Sequence, residues 1–154
     1  MLNKINDALT ALITSELGYT VDPDTMSFQN LRDDEFPVCL LQYGNESGDA
    51  VEQTIGNFTN VLTISFEIIV MSDEDNYRRK AFEQLSRFKA FINSARGLIE
   101  ERYTEACIID MDYVGMEVLG FDNRRVAGGI SVETAITYQQ CRTNPESVAC
   151  GGDC

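Results

Sequence analysis

The sequence has no histidine and no tryptophan. Without histidine it lacks the usual general base, the usual zinc-binding nitrogen and the usual proton switch near neutral pH. Ser/His and Cys/His nucleophile arrangements are also impossible, and no enzyme is expected. Basic residues are scarce: 12 Lys and Arg stand against 25 Asp and Glu, for a formal net charge of -13. A surface this acidic repels nucleic-acid phosphates and anionic membranes, so no sequence-specific nucleic-acid reader is expected. No apolar run approaches the ~20 residues that a membrane-spanning helix needs. The opening stretch MLNKINDALTALITSEL is too interrupted by polar groups for the apolar core of a signal peptide. The expectation is a chain made and kept, at least at first, in a cytoplasm, where the sequons at Asn45 and Asn57 carry no glycan.

What is present is an ordinary core. With 154 residues and a hydrophobic fraction of 44%, the chain is long and apolar enough for one domain. Its centre is Asn60–Met71, where Leu62, Ile64, Phe66, Ile68 and Val70 alternate with Thr63, Ser65 and Glu67. That is the period of a strand with one face in a core. The polar face turns apolar at Ile69 and Met71, as in a strand covered on both sides or placed at a subunit contact. Around it the chain reads in order. Residues 2–17 show the three-and-four spacing of an amphipathic helix (Leu2, Ile5, Leu9, Leu12, Ile13), stopped by Gly18. Residues 19–36 read as irregular, with a short extended piece at Met26–Phe28. Val38–Tyr43 reads as a strand and Gly44–Phe58 as a long loop. A helix capped by Ser72 or Asp73 runs to about Ala95, with Gly97 closing it. Two strands follow, Ala106–Leu119 and Val126–Gln139, joined by a turn at Gly120–Arg124. The expected fold class is α+β, a mostly antiparallel sheet of about four strands with two helices on one face, in the order α-β-β-α-β-β. The domain is expected over 1–140, with 141–154 as a mobile tail.

The candidate chemical motifs have plain structural readings. Asp110 and Asp112 fall on one face of a strand, as a solvated polar face does; no third ligand accompanies them. Asp73-Glu74-Asp75-Asn76 lacks the glycine and the bidentate glutamate of a calcium loop, and helix capping accounts for it. Gly128-Gly129 is not followed by the Gly-Lys-Ser/Thr of a phosphate loop and reads as a close backbone approach or a bulge. Arg78, Arg79 and Lys80 put positive charge on the outer face of the second helix. In so acidic a protein they are candidates for docking against an acidic patch of an identical subunit, as an alternative to a solvated face.

Five cysteines are present. Cys39 and Cys107 lie in apolar, strand-like surroundings and read as small buried hydrophobes. Cys141, Cys150 and Cys154 sit near the chain end with no CxxC pair, so a zinc or iron–sulfur site lacks its usual ligands. Three readings stay open for them: free exposed thiols, disulfides within the tail or between subunits, and a metal shared across subunits.

The helix INDALTALITSELG, the run Phe36-Pro37-Val38, the strand NVLTISFEIIVMS with its acidic cap and following helix, and the last strand VAGGISVETAITYQ together resemble the tail terminators and related neck or tail-completion proteins of long-tailed bacteriophages. The resemblance is one of pattern and element order over residues 1–140. It implies a structural virion protein, assembled in the host cytoplasm, that forms a ring, commonly sixfold, at the head-proximal end of the tail. Such a ring ends the tail tube, meets the neck or connector proteins, needs no cofactor, and lets double-stranded DNA pass without specific binding. On this reading Ile69 and Met71, with Arg78, Arg79 and Lys80, are subunit-interface candidates, and Glu67 and Glu133 face the channel or its mouth. A head-completion or stopper protein of the neck is the alternative within the class. A small cytoplasmic protein-binding module is the alternative outside it.

Overall fold

The computed structural model describes residues 2–22, 35–48, 57–102, 108–124 and 126–141. The chain opens with helix α1 (Leu2–Leu12), which widens into a π-helical turn over Ile13–Leu17. Gly18 ends it in the left-handed region, φ 70°, and its N–H donates to the Thr14 carbonyl at 3.1 Å. Glycine reaches that conformation at no steric cost, which is why the expected stop is the observed one.

Among the described residues five strands form one sheet in the order β1-β2-β3-β5-β4. They are β1 (Thr20–Asp22), β2 (Val38–Gly48), β3 (Asn57–Met71), β4 (Ile108–Asp122) and β5 (Ala127–Cys141). Helix α2 (Tyr77–Arg102) lies between β3 and β4 in sequence. The α+β class and the mostly antiparallel pairing hold, with three of the four strand pairs antiparallel, and the strand count is corrected. Thr20–Asp22 is a fifth strand, parallel to β2, so the sheet is mixed. Three residues are too few to show a two-residue period, which is why the piece is invisible in sequence.

Other boundaries also move. β2 runs on to Gly48 past a bulge between Tyr43 and Glu46, and β3 starts at Asn57, so the expected loop at Gly44–Phe58 shrinks from both ends. Helix α2 passes Gly97 and continues to Arg102. A glycine in a helix interior costs about 1 kcal/mol against alanine, too little to stop a packed helix. The expected piece at Met26–Phe28, Cys107, Cys150, Cys154 and the tail beyond Cys141 lie outside the described residues.

The core sits between the helices and one face of the sheet. Leu62, Ile64, Phe66, Ile68 and Val70 of β3 are all buried there, as the alternation requires. They meet Ile5, Leu9, Leu12 and Ile13 from the first helix and Phe88, Phe91 and Ile92 from α2. Phe66 and Phe88 stack tilted at 4.9 Å, and Phe88 and Phe91 at 5.6 Å. Cys39 is buried in this core, as expected of a small hydrophobe, and burial pushes its thiol pKa up. Tyr19 and Arg87 tie the end of the first helix to α2. The buried Tyr19 hydroxyl donates to Gln84 Oε1 at 2.8 Å, and Arg87 Nη2 donates to the Leu17 carbonyl at 3.0 Å.

Gly128 and Gly129 are sites of close approach, one on each side of β5. A Cβ on Gly128 would lie 2.4 Å from the Tyr77 ring, and one on Gly129 would lie 2.2 Å from the Ile68 carbonyl oxygen. The first glycine seats the start of α2, and the second lets β3 press close against β5.

Candidate functional site

The two helices cover the core face of the sheet, and the opposite face carries Thr63, Ser65 and Glu67 of β3, Ser131 and Glu133 of β5 and Asp110, Asp112 and Glu117 of β4. Register places them in rows across three strands. Glu117 of β4 lies opposite Ser131 of β5, which lies opposite Glu67 of β3. In the next row Gly115, Glu133 and Ser65 line up, and in a further row Asp112, Ala135 and Thr63. No acid stands directly opposite another; each faces a small uncharged residue. The rows thus make a negative surface without the direct like-charge pairs that destabilise a sheet.

Not one of the five strands contains a lysine or arginine, while they hold Asp22, Glu46, Glu67, Asp110, Asp112, Glu117, Asp122 and Glu133. Helix α2 is the opposite. It holds Arg78, Arg79, Lys80, Arg87, Lys89, Arg96 and Arg102 against Glu83, Glu100 and Glu101.

The start of α2 is fixed by Asp73. Its Oδ1 accepts from the Asn76 backbone N–H at 2.9 Å and from Asn76 Nδ2 at 2.8 Å, and its carbonyl accepts the Tyr77 N–H at 3.1 Å. Of the two expected caps, Asp73 is therefore the one used, and the Asn76 side-chain bond holds its carboxyl below the usual range. Ser72 instead donates its backbone N–H to the Val126 carbonyl at 2.9 Å, joining the cap to the β4–β5 turn. Val126 holds φ 53°, a left-handed conformation unusual for a β-branched residue.

The expected interface residues separate into two kinds. Arg78, Arg79 and Lys80 are exposed. Arg78 Nε donates to the Tyr77 hydroxyl at 3.2 Å, with its guanidinium 5.8 Å from the ring centre, and Lys80 Nζ donates to the Met71 carbonyl at 3.2 Å. Met71 itself is half-buried. Ile69 is only 8% exposed. It lies opposite Val38, also buried, and over Gly129, whose missing side chain leaves it room. The apolar end of β3 is therefore covered within the chain, and Ile69 is corrected from a free contact residue to part of the fold.

Glu67 and Glu133, the expected channel residues, share the helix-free face, Glu133 exposed and Glu67 half-buried. Gln42 Nε2 donates to Glu67 Oε1 at 2.7 Å, and burial raises the Glu67 pKa. Glu117 was not singled out by periodicity; it completes the negative surface with Asp110 and Asp112. The absence of any base in the strands was the signal that could have found it. Exposed apolar side chains accompany both charged surfaces: Phe82, 46% exposed, on α2, and Val114, 55% exposed, on β4. Lys89 Nζ sits 4.0 Å from the centre of the Tyr113 ring, at the seam between α2 and β4.

An open hollow of about 290 Å³ lies beside the π-helical turn, lined by Glu16, Leu17, Arg87, Ala90, Phe91 and Ser94. Its arginine is already committed to the Leu17 carbonyl. Among the described residues no group of three or more His, Cys, Asp or Glu is placed to hold a metal ion. No helix among them is long and apolar enough to cross a membrane. Set against known proteins, the chain matches no family model and no curated protein.

Proposed function

We propose that this chain is a structural subunit of a ring at the head-proximal end of a long-tailed phage tail, one that ends the tail tube and joins it to the neck. The observation that carries the reading is the division of charge within one subunit: a base-free acidic sheet face on one side and a basic helix on the other. A ring needs two different mutually adhesive surfaces on each subunit, because heterologous contacts close by rotation. A channel for DNA needs a wall that repels phosphate, and a face carrying Glu67 and Glu133 supplies it. The partners on this reading are other copies of the chain, the tail tube protein and the neck proteins, with DNA passing through unbound. The part played is mechanical, with no reaction step.

The test is deletion of the gene from the phage genome that encodes it. The expected result is tails of uncontrolled, excessive length and heads that fail to join them. Tails of normal length joined to heads would overturn the proposal.

A further inference from the structure

The charge is sorted by element. Helix α2 carries four more bases than acids, in a chain whose total is -13, so the remainder of the molecule is more acidic than the whole. Strand β4, one edge of the sheet, carries Asp110, Asp112, Glu117 and Asp122, all exposed, and no base. We infer that copies of this chain associate head to tail, the basic face of α2 in one copy against the acidic β4 edge of the next. This rests on the assembly reading above and names the two surfaces that make the contact.

Like charge opposes the pairing of either surface with itself. Two β4 edges paired with each other would set acid against acid, and three register shifts along β4 further spoil it as a template for its own kind. Two α2 faces packed together would set arginine against arginine. Only the mixed contact brings opposite signs together; made once per pair it is heterologous and propagates, made twice about a two-fold axis it stops at a dimer, so a wild type whose sedimentation stops at the dimer would overturn the head-to-tail inference. Each surface also has an apolar centre for such a contact to bury. Phe82 stands one helical turn from both Arg78 and Arg79, and Val114 stands on β4 two residues from Asp112. Glu67 and Glu133 lie inboard of the edge, on β3 and β5.

The test uses three full-length proteins: wild type, a helix variant R78E/R79E and an edge variant D112K/E117K. Sedimentation velocity is run at about 10 mM and about 1 M salt, where the screening length falls from ~30 Å to ~3 Å. Wild type is expected to associate at low salt and to weaken about tenfold or more at high salt, as a few exposed ion pairs would allow. Each variant alone is expected to stay monomeric, and an equimolar mixture of the two to associate again, because every contact in it joins opposite charges. Circular dichroism confirms that each variant is folded. Should one unfold, the neutral pair R79Q and E117Q takes its place, each expected to weaken association. Association of either reversed variant alone, a mixture that stays monomeric, or a salt-independent wild type would overturn the inference. Salt-independent rings would do so while leaving the ring proposal standing; a chain that has no effect on tail length would remove the proposal itself.

Discussion

Single residues carry the close contacts. Gly129→Ala places a methyl against the Ile68 carbonyl, a backbone group that cannot turn aside, and Gly128→Ala places one against the Tyr77 ring, which can shift. Overpacking typically costs about 1–3 kcal/mol. Urea unfolding is expected to put both variants in that range, with Gly129→Ala the worse. Val126→Asn should act in the other direction. Valine in the left-handed region is strained by about 1–2 kcal/mol, and asparagine tolerates that region, so the midpoint of thermal unfolding should rise. Ile69→Glu should destabilise the subunit itself, since the side chain is buried. Glu67 gives a pH test. Its folded pKa is raised by burial, so its charge opposes folding above that pKa, and the penalty vanishes below the ordinary carboxylate value, where folded and unfolded chains both hold the proton. Glu67→Gln should therefore raise the unfolding midpoint at neutral pH, with the gain disappearing as the pH falls below ~4.

Among the elements, legibility followed the length of the pattern. β3 shows its alternation over nine residues, and its buried set, Leu62, Ile64, Phe66, Ile68 and Val70, is the set the sequence marks. The first helix and its Gly18 stop are equally plain, since the i, i+3, i+4 spacing and the stop residue agree. β1 is three residues long and leaves no period. The extra length of β2 is hidden because Gly44, Asn45 and Ser47 favour turns, and ladder pairing to β3 overrides that preference. The sequence offers Ser72 and Asp73 as the cap of α2, and only the hydrogen bonds choose between them. Asp73→Ala should lower the unfolding midpoint, and Asp73→Asn should preserve most of it, because asparagine also caps. The wild-type advantage over Asp73→Ala should persist above the ordinary carboxylate pKa and fade as the pH drops through the lowered folded value.

For the whole molecule, charge sorting is the feature that links structure to a role. It is written in the sequence, but it becomes visible only once the strand boundaries are known, because the count of bases per strand depends on where each strand ends. Periodicity could find Glu67 and Glu133 as outward-facing positions. It could not show that Glu117 and Glu67 share a row through Ser131, since that follows from register, nor that Ile69 is covered, since that follows from Gly129 and Val38 on neighbouring strands. Assembly into a closed ring is tested directly by electron microscopy of the purified full-length protein at low ionic strength. Rings of one diameter with an open centre are expected; a population of monomers, two-fold dimers or open filaments would contradict ring assembly.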